Sequence, residues 1–170
     1  MGKPVFLIGY MGSGKSTAGK KLANRLKFDF VDVDAAIEQM TGKPVAKIFS
    51  DEGEDQFRQL EHSIIKSLTA RKNVVIATGG GAPCFFDNIQ LMNSKGVTVY
   101  LKMAPGALAK RIIESKSERP LLKYVANEDL PAYINIHLQQ REVYYKRAEI
   151  VVDGENLKID ELSQLVLKYI

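Results

Sequence analysis

A short apolar run, Pro4-Val5-Phe6-Leu7-Ile8, breaks into Gly9-Tyr10-Met11-Gly12-Ser13-Gly14-Lys15-Ser16 and continues with helical spacing over 15–26. The pattern Gly9-x-x-x-x-Gly14-Lys15-Ser16 restricts the fold more than anything else in the chain, because it works only between a strand and a helix. Its glycines let successive backbone N–H groups converge, and the helix start adds partial positive charge. Such a loop cradles phosphate. Lys15 is placed to reach the β and γ phosphates of a nucleoside triphosphate, and the Ser16 hydroxyl can ligate magnesium.

Further apolar or β-branched runs fall at 30–33, 74–77, 97–101 and 150–152, after the first at 4–8. Between them lie segments with helical spacing at 15–26, 35–41, one ending near Arg71, 85–95, 105–115, 128–147 and 159–169. This alternation predicts an α/β fold with a parallel sheet covered by helices on both faces. At 170 residues, without a repeat or linker, the chain is expected to form one domain over 1–170. The 24 Lys and Arg against 20 Asp and Glu give a net charge of +4. These charges are scattered, so the composition favours small anionic substrates over nucleic acid. No apolar run reaches the roughly 18 residues of a membrane span and no secretory leader is visible, which predicts a soluble, cytoplasmic protein without a membrane partner. Cys84 stands alone and is expected to be structural, and neither His62 nor His137 belongs to a triad-like or metal-binding arrangement.

In open parallel sheets ligands bind beyond the carboxyl ends of the strands, so the residues that follow each apolar run carry the chemistry. After the second run stand Asp32 and Asp34, which share a face if both continue the strand. Asp32 is then expected to face magnesium and Asp34 an acceptor hydroxyl, with an N-cap role for one of them as the alternative. Arg58 and Glu61, three apart, can pair on a helix. Gly79-Gly80-Gly81 after the third run removes every β-carbon at a strand end, which suits close approach of a ligand. Arg119 lies in a polar stretch before Pro120 that reads as a lid over about 112–126. Arg141 sits among Leu138, His137 and Tyr145 on one side of the 128–147 helix, a setting that suits an arginine held for a partner.

The stretches GYMGSGKSTAGKKLA, DVDAAIE, Ile48-Phe49 to Glu61, ATGGGA, VYL, ERPLL and Arg141 with Tyr144-Tyr145 together resemble a shikimate kinase, in order and over nearly the whole chain. That resemblance implies a P-loop kinase fold of the nucleoside monophosphate kinase type, with a five-stranded parallel sheet in the order 2-3-1-4-5 and a lid loop. It implies that Gly12, Ser13, Gly14, Lys15, Ser16 and Thr17 hold the phosphates of ATP. Ser16, with Asp32 through water, would hold Mg2+. Asp34, Arg58, Gly79, Gly80, Gly81 and Arg141 would hold shikimate, the two arginines on its carboxylate. Arg119 would close over the phosphates, and Arg111 with the loop 153–156 would border the adenine. Lys15, Asp34 and Arg119 would be the catalytic set, Phe49 and Phe57 would wall the acceptor pocket, and the family implies a monomer. A planar guanidinium fork matches a carboxylate, which agrees with two arginines reading an anionic acceptor. Two other readings stay open at this point: a kinase of the same fold with another small acceptor, such as gluconate, and a nucleotide-dependent switch.

Overall fold

The structure, a computed structural model, describes residues 2–115 and 119–170. Part of the expected lid, 116–118, lies outside the described residues. Five strands, β1 (Val5–Ile8), β2 (Asp29–Asp32), β3 (Val74–Ala77), β4 (Val97–Lys102) and β5 (Ile150–Asp153), form one all-parallel sheet in the order β2-β3-β1-β4-β5. Strands β1 and β3 are buried at every position, as the continuous apolar runs VFLI and VVIA require of central parallel strands. Their side chains divide by alternation. Phe6, Ile8, Val74, Ile76 and Tyr100 enter one core, and Val5, Leu7, Val75, Val97 and Val99 enter the other.

Helices α1 (Lys15–Leu26) and α7 (Ile159–Val166) cover the second core, to which they contribute Leu22 and Leu162. The first and larger core takes residues from α2 (Val33–Thr41), α3 (Val45–Leu68), α4 (Asn88–Lys95), α5 (Pro105–Glu114) and α6 (Leu130–Tyr145). The expected sheet order and the helices on both faces are therefore present. Several boundaries differ for local reasons. β2 stops one residue earlier than expected, because Asp32 caps α2 through its own side chain and Val33 is already helical. The helix expected from 85 starts at Asn88, after a 3-10 turn containing Pro83 and a left-handed Phe86 (φ 51°). Within α3, Gly53 leaves the helical region (φ 83°, ψ 168°), so two helical pieces meet at a bend.

The triple glycine does its main work inside the protein. A β-carbon on Gly79 would lie 2.5 Å from Glu61 Oε2, one on Gly80 would lie 2.9 Å from the backbone nitrogen of Met11, and one on Gly81 would lie 2.5 Å from Arg58 Nη2. The expected close approach is thus made by the chain itself, with the phosphate loop on one side and α3 on the other. Gly80 is the least forgiving of the three, since the obstructing atom is backbone. Gly80→Ala is expected to cost about 1–3 kcal/mol, the range for overpacking, and to lower the melting temperature in a thermal scan. A melting temperature equal to wild type would show that the two loops are not in contact.

Candidate active site

Helix α1 starts at Lys15 directly behind Gly14, whose left-handed conformation (φ 84°) turns the chain from loop to helix. Lys15 is buried, and its Nζ donates to the carbonyls of Gly9 at 2.8 Å and Tyr10 at 3.0 Å. Burial pulls its pKa down to about 7, while the carboxylate of Asp34 opposes that shift. A phosphate group arriving at this lysine would restore the favour for its charged form.

Ser16 Oγ donates to Asp32 Oδ2, and Asp32 Oδ1 accepts from the amide of Ala35 at 3.2 Å. Asp32 is therefore both the N-cap of α2 and the partner of Ser16, one role on each oxygen. The shared strand face expected for Asp32 and Asp34 is not what brings them together, because Asp34 lies in the first turn of α2. They nevertheless border one cavity of about 500 Å³, together with Gly12, Gly14, Lys15 and Thr17. Burial and, next, the charge of Asp32 push the carboxyl of Asp34 above its usual range, against Lys15 and Arg58.

Two more cavities adjoin this one. On one side Arg111 donates to the Ser13 carbonyl at 3.4 Å and lines a cavity of about 330 Å³ with Thr17, Lys21, Gly154 and Glu155. The loop that supplies the last two is braced by Asp153, whose Oδ1 accepts from the Glu155 amide at 2.9 Å and whose Oδ2 accepts from Asn156 Nδ2 at 3.2 Å. On the other side, Met11, Asp34, Gly79, Gly80 and Arg119 are shared with a cavity of about 270 Å³. Arg58, Glu61, Gly81, Arg141, Phe49 and Phe57 complete much of its wall.

This smaller cavity is built from a clamped arginine and several unclamped groups. Arg58, only 4% exposed, donates to Glu61 Oε1 at 2.9 Å and to Glu54 Oε1 at 3.1 and 3.2 Å, with its guanidinium 4.2 Å from the Phe85 ring centre. Tyr145 donates to the Gly80 carbonyl, and Thr78 Oγ1 donates to the Leu7 carbonyl at 3.1 Å, so the glycine turn is tied to α6 and β1. Among the described residues, the buried side-chain polar atoms without a hydrogen-bond partner are Asp34 Oδ1, Glu61 Oε2, Arg119 Nε and Arg141 Nη1. All four residues line this one cavity. Buried polar groups are almost always paired, and leaving one unmade costs about 1–3 kcal/mol. Two acceptors and two cationic donors around one space define a site for a small molecule with hydroxyls and a negative charge.

All the residues that the resemblance implies for ATP, the acceptor and magnesium border three adjoining cavities, with Asp34 and Arg119 on the boundary between the nucleotide-sized space and the smaller one. Sequence reasoning missed the second oxygen of Glu61 as a cavity group and saw that residue only as the partner of Arg58. It also did not pair Tyr10 with His137, although the two share a hydrogen bond at 2.8 Å. His62 shares one of 2.6 Å with Asn88 and stands apart from the cavity lining. Cys84 is half-buried, its thiol pushed up to about 11 by burial, in keeping with a structural role.

A phosphate loop opening on a carboxylate, with an anion-reading pocket behind it, defines a nucleotide-dependent phosphotransferase with a small acidic acceptor. Comparison with known proteins is consistent with that class and narrows it. The model of the shikimate kinase family matches residues 11–170. A shikimate kinase from Parabacteroides distasonis is 42% identical over 170 residues, covering 98% of each chain. The crystal structure of the shikimate kinase from Bacteroides thetaiotaomicron superposes with a TM-score of 0.89 at 37% identity, covering 98% of this chain and 97% of the other. A second, from Acinetobacter baumannii in complex with shikimate, has a TM-score of 0.88 at 33% identity, covering 99% of this chain and 92% of that one. The chain belongs to the shikimate kinase family and is an enzyme of that family.

The site carries a pH signature. Burial raises the pKa of Glu61 from 4.5 to about 7 against the pull of Arg58. Between those values the folded chain binds a proton that the unfolded chain has released, so this group's contribution to stability falls as pH rises. Unfolding free energies measured across pH 4 to 8 are expected to decline more steeply in wild type than in Glu61→Gln. Parallel profiles would show that Glu61 titrates as an ordinary carboxyl.

Proposed function

We propose that this chain transfers the γ-phosphoryl group of ATP to the 3-hydroxyl of shikimate, giving ADP and shikimate 3-phosphate for aromatic amino-acid biosynthesis. The observation that carries the reading is the set of four unpartnered buried groups around the cavity behind the phosphate loop. Arg58 and Arg141 approach that cavity from different helices and suit the two oxygens of the acceptor carboxylate, while Asp34, at the nucleotide boundary, suits the reacting hydroxyl. The backbone of Gly79, Gly80 and Gly81 completes the acceptor wall.

In the transfer, the bond between the γ phosphorus and the β–γ bridging oxygen breaks as the acceptor oxygen bonds to phosphorus. Asp34 orients the hydroxyl and takes its proton, a role suited to a carboxyl whose pKa burial has raised. Lys15 and the amides of Gly12, Ser13, Gly14, Ser16 and Thr17 hold the phosphates, and Arg111 with Gly154 and Glu155 borders the adenine. Arg119, its Nε buried and unpartnered at the boundary, is set to stabilise charge on the group in flight. Ser16 and Asp32 form an all-oxygen pair beside the phosphate cavity, a donor set that fits Mg2+ held by few protein ligands and the nucleotide itself. Bound there, Mg2+ would supply neutralisation of charge on the phosphates. Among the described residues no helix is long and apolar enough to cross a membrane. The reading includes a monomer in the cytoplasm, acting as one domain over 1–170 without nucleic acid or membrane partners.

The test is ADP release, coupled to a spectrophotometric readout, with shikimate, gluconate, nucleoside monophosphates or no acceptor. Shikimate alone is expected to stimulate release, and only with a divalent cation present; no stimulation by shikimate would overturn the reading, and stimulation by gluconate would replace its acceptor. Asp32→Ala is expected to raise the magnesium concentration needed for half-maximal rate, whereas Asp34→Ala weakens shikimate and slows transfer with ATP affinity kept. Equal magnesium titrations for both would remove the division of roles. Arg119→Ala is expected to lower single-turnover transfer at least about a hundredfold, below the 10³–10⁵ of arginine fingers because Lys15 shares the charge. An unchanged transfer rate would return Arg119 to the surface.

A further inference from the structure

Phosphate binding gives no reason for a tyrosine at position 10, yet its side chain is 1% exposed and reaches α6. Its hydroxyl lies 2.8 Å from His137 Nδ1. The His137 ring stands edge-on to Tyr10, and also to Tyr133, each at 5.4 Å between centres. The Arg141 guanidinium lies 5.7 Å from the centre of the Tyr10 ring. His137 and Arg141 are one helical turn apart and so share a side of α6. At its main-chain end, Tyr10 offers its carbonyl to Lys15 Nζ at 3.0 Å. One residue therefore touches the phosphate-binding lysine and the helix that carries an acceptor-binding arginine.

The two arginines of the acceptor cavity are held in different ways. Arg58 is fixed by Glu54 and Glu61, whereas among the described residues Arg141 has no carboxylate partner and leaves Nη1 unpaired. Its side-chain hydrogen bond is to Tyr145 on the same helix, so its position depends on what anchors α6. Burial and the nearby Arg141 pull His137 down to about 4, and burial pushes the Tyr10 hydroxyl above its ordinary range, so both rings are neutral. The bond between them is insensitive to pH across the physiological range.

Resting on the shikimate reading above, we propose that Tyr10 and His137 are a positioning pair that sets Arg141 against the phosphate loop, so that the grip on the acceptor carboxylate depends on a hydroxyl of that loop. A phenylalanine would fill the same space, which leaves the hydroxyl as the element to explain.

The experiment compares wild type, Tyr10→Phe, His137→Leu, His137→Gln and the double variant Tyr10→Phe/His137→Leu in the full chain, reading KM for shikimate, KM for ATP and kcat. Tyr10→Phe and His137→Leu are each expected to raise the shikimate KM about tenfold, the worth of about 1.4 kcal/mol for one hydrogen bond. ATP KM should stay within about twofold, and the double variant should match the worse single variant, as for two halves of one interaction. His137→Gln, which keeps a hydrogen-bonding side chain, should recover most of the loss. An unchanged shikimate KM in Tyr10→Phe, an equal rise in both KM values, or multiplying effects in the double variant would each overturn the proposal. A wild-type enzyme without shikimate-stimulated turnover would remove the functional reading and this inference with it, whereas an active wild type with an unaffected Tyr10→Phe removes the inference alone.

Discussion

The bare backbone of residues 79–81 is the constraint on which the rest of the site depends. It is the meeting point of three parts of the chain that are remote in sequence: the phosphate loop at Met11, α3 at Arg58 and Glu61, and α6, which reaches the Gly80 carbonyl through Tyr145. Each contact is closer than a β-carbon would permit or is tied by a hydrogen bond. The position of the anion-reading pocket relative to the phosphates therefore follows from sterics at the end of β3, before any ligand is considered. Parallel pairing with β1 carries that strand end to the phosphate loop, with Leu7 level with Ala77.

Electrostatics then separates the pocket's charges by how far the protein satisfies them. Arg58 sits against two glutamates and a phenyl ring, so its charge is largely answered within the fold. Arg119 and Arg141 keep unpaired donors, and Asp34 an unpaired acceptor, in a space partly closed to water. Desolvation is the first cause of the downward shift of Arg119 and of the upward shift of Asp34. Groups that have lost water without gaining a partner interact strongly with whatever next brings opposite charge. In the proposed reading, selectivity for an anionic acceptor would be stored in dehydration already undergone on folding.

Much of this was legible in the sequence, and the reason differs from element to element. The phosphate loop could be read because its chemistry demands glycines at fixed spacing, and β1 and β3 because fully buried parallel strands need unbroken apolar runs. Arg58 and Glu61 were readable as an i, i+3 pair, but the burial of both depends on α3 packing under the glycine turn, which no local pattern announces. Asp32 and Asp34 do meet at one cavity, but not by the expected route, since side-chain capping ended the strand before alternation could apply. Tyr10 and His137 were invisible as a pair. They are separated by 127 residues, and each alone is unexceptional.

The division of the apolar interior into two cores on opposite faces of the sheet has an evolutionary consequence. The core under α1 and α7 is assembled from residues such as Leu22, Val99, Leu162 and Val166, whereas Tyr10, Met11, Phe57 and Tyr145, which shape the acceptor side, belong to the other core. Only the sheet is common to both. Drift in thermal tolerance can accumulate beneath α1 and α7 while acceptor recognition is conserved, and a lineage can alter its acceptor by changing the opposite layer over an undisturbed foundation.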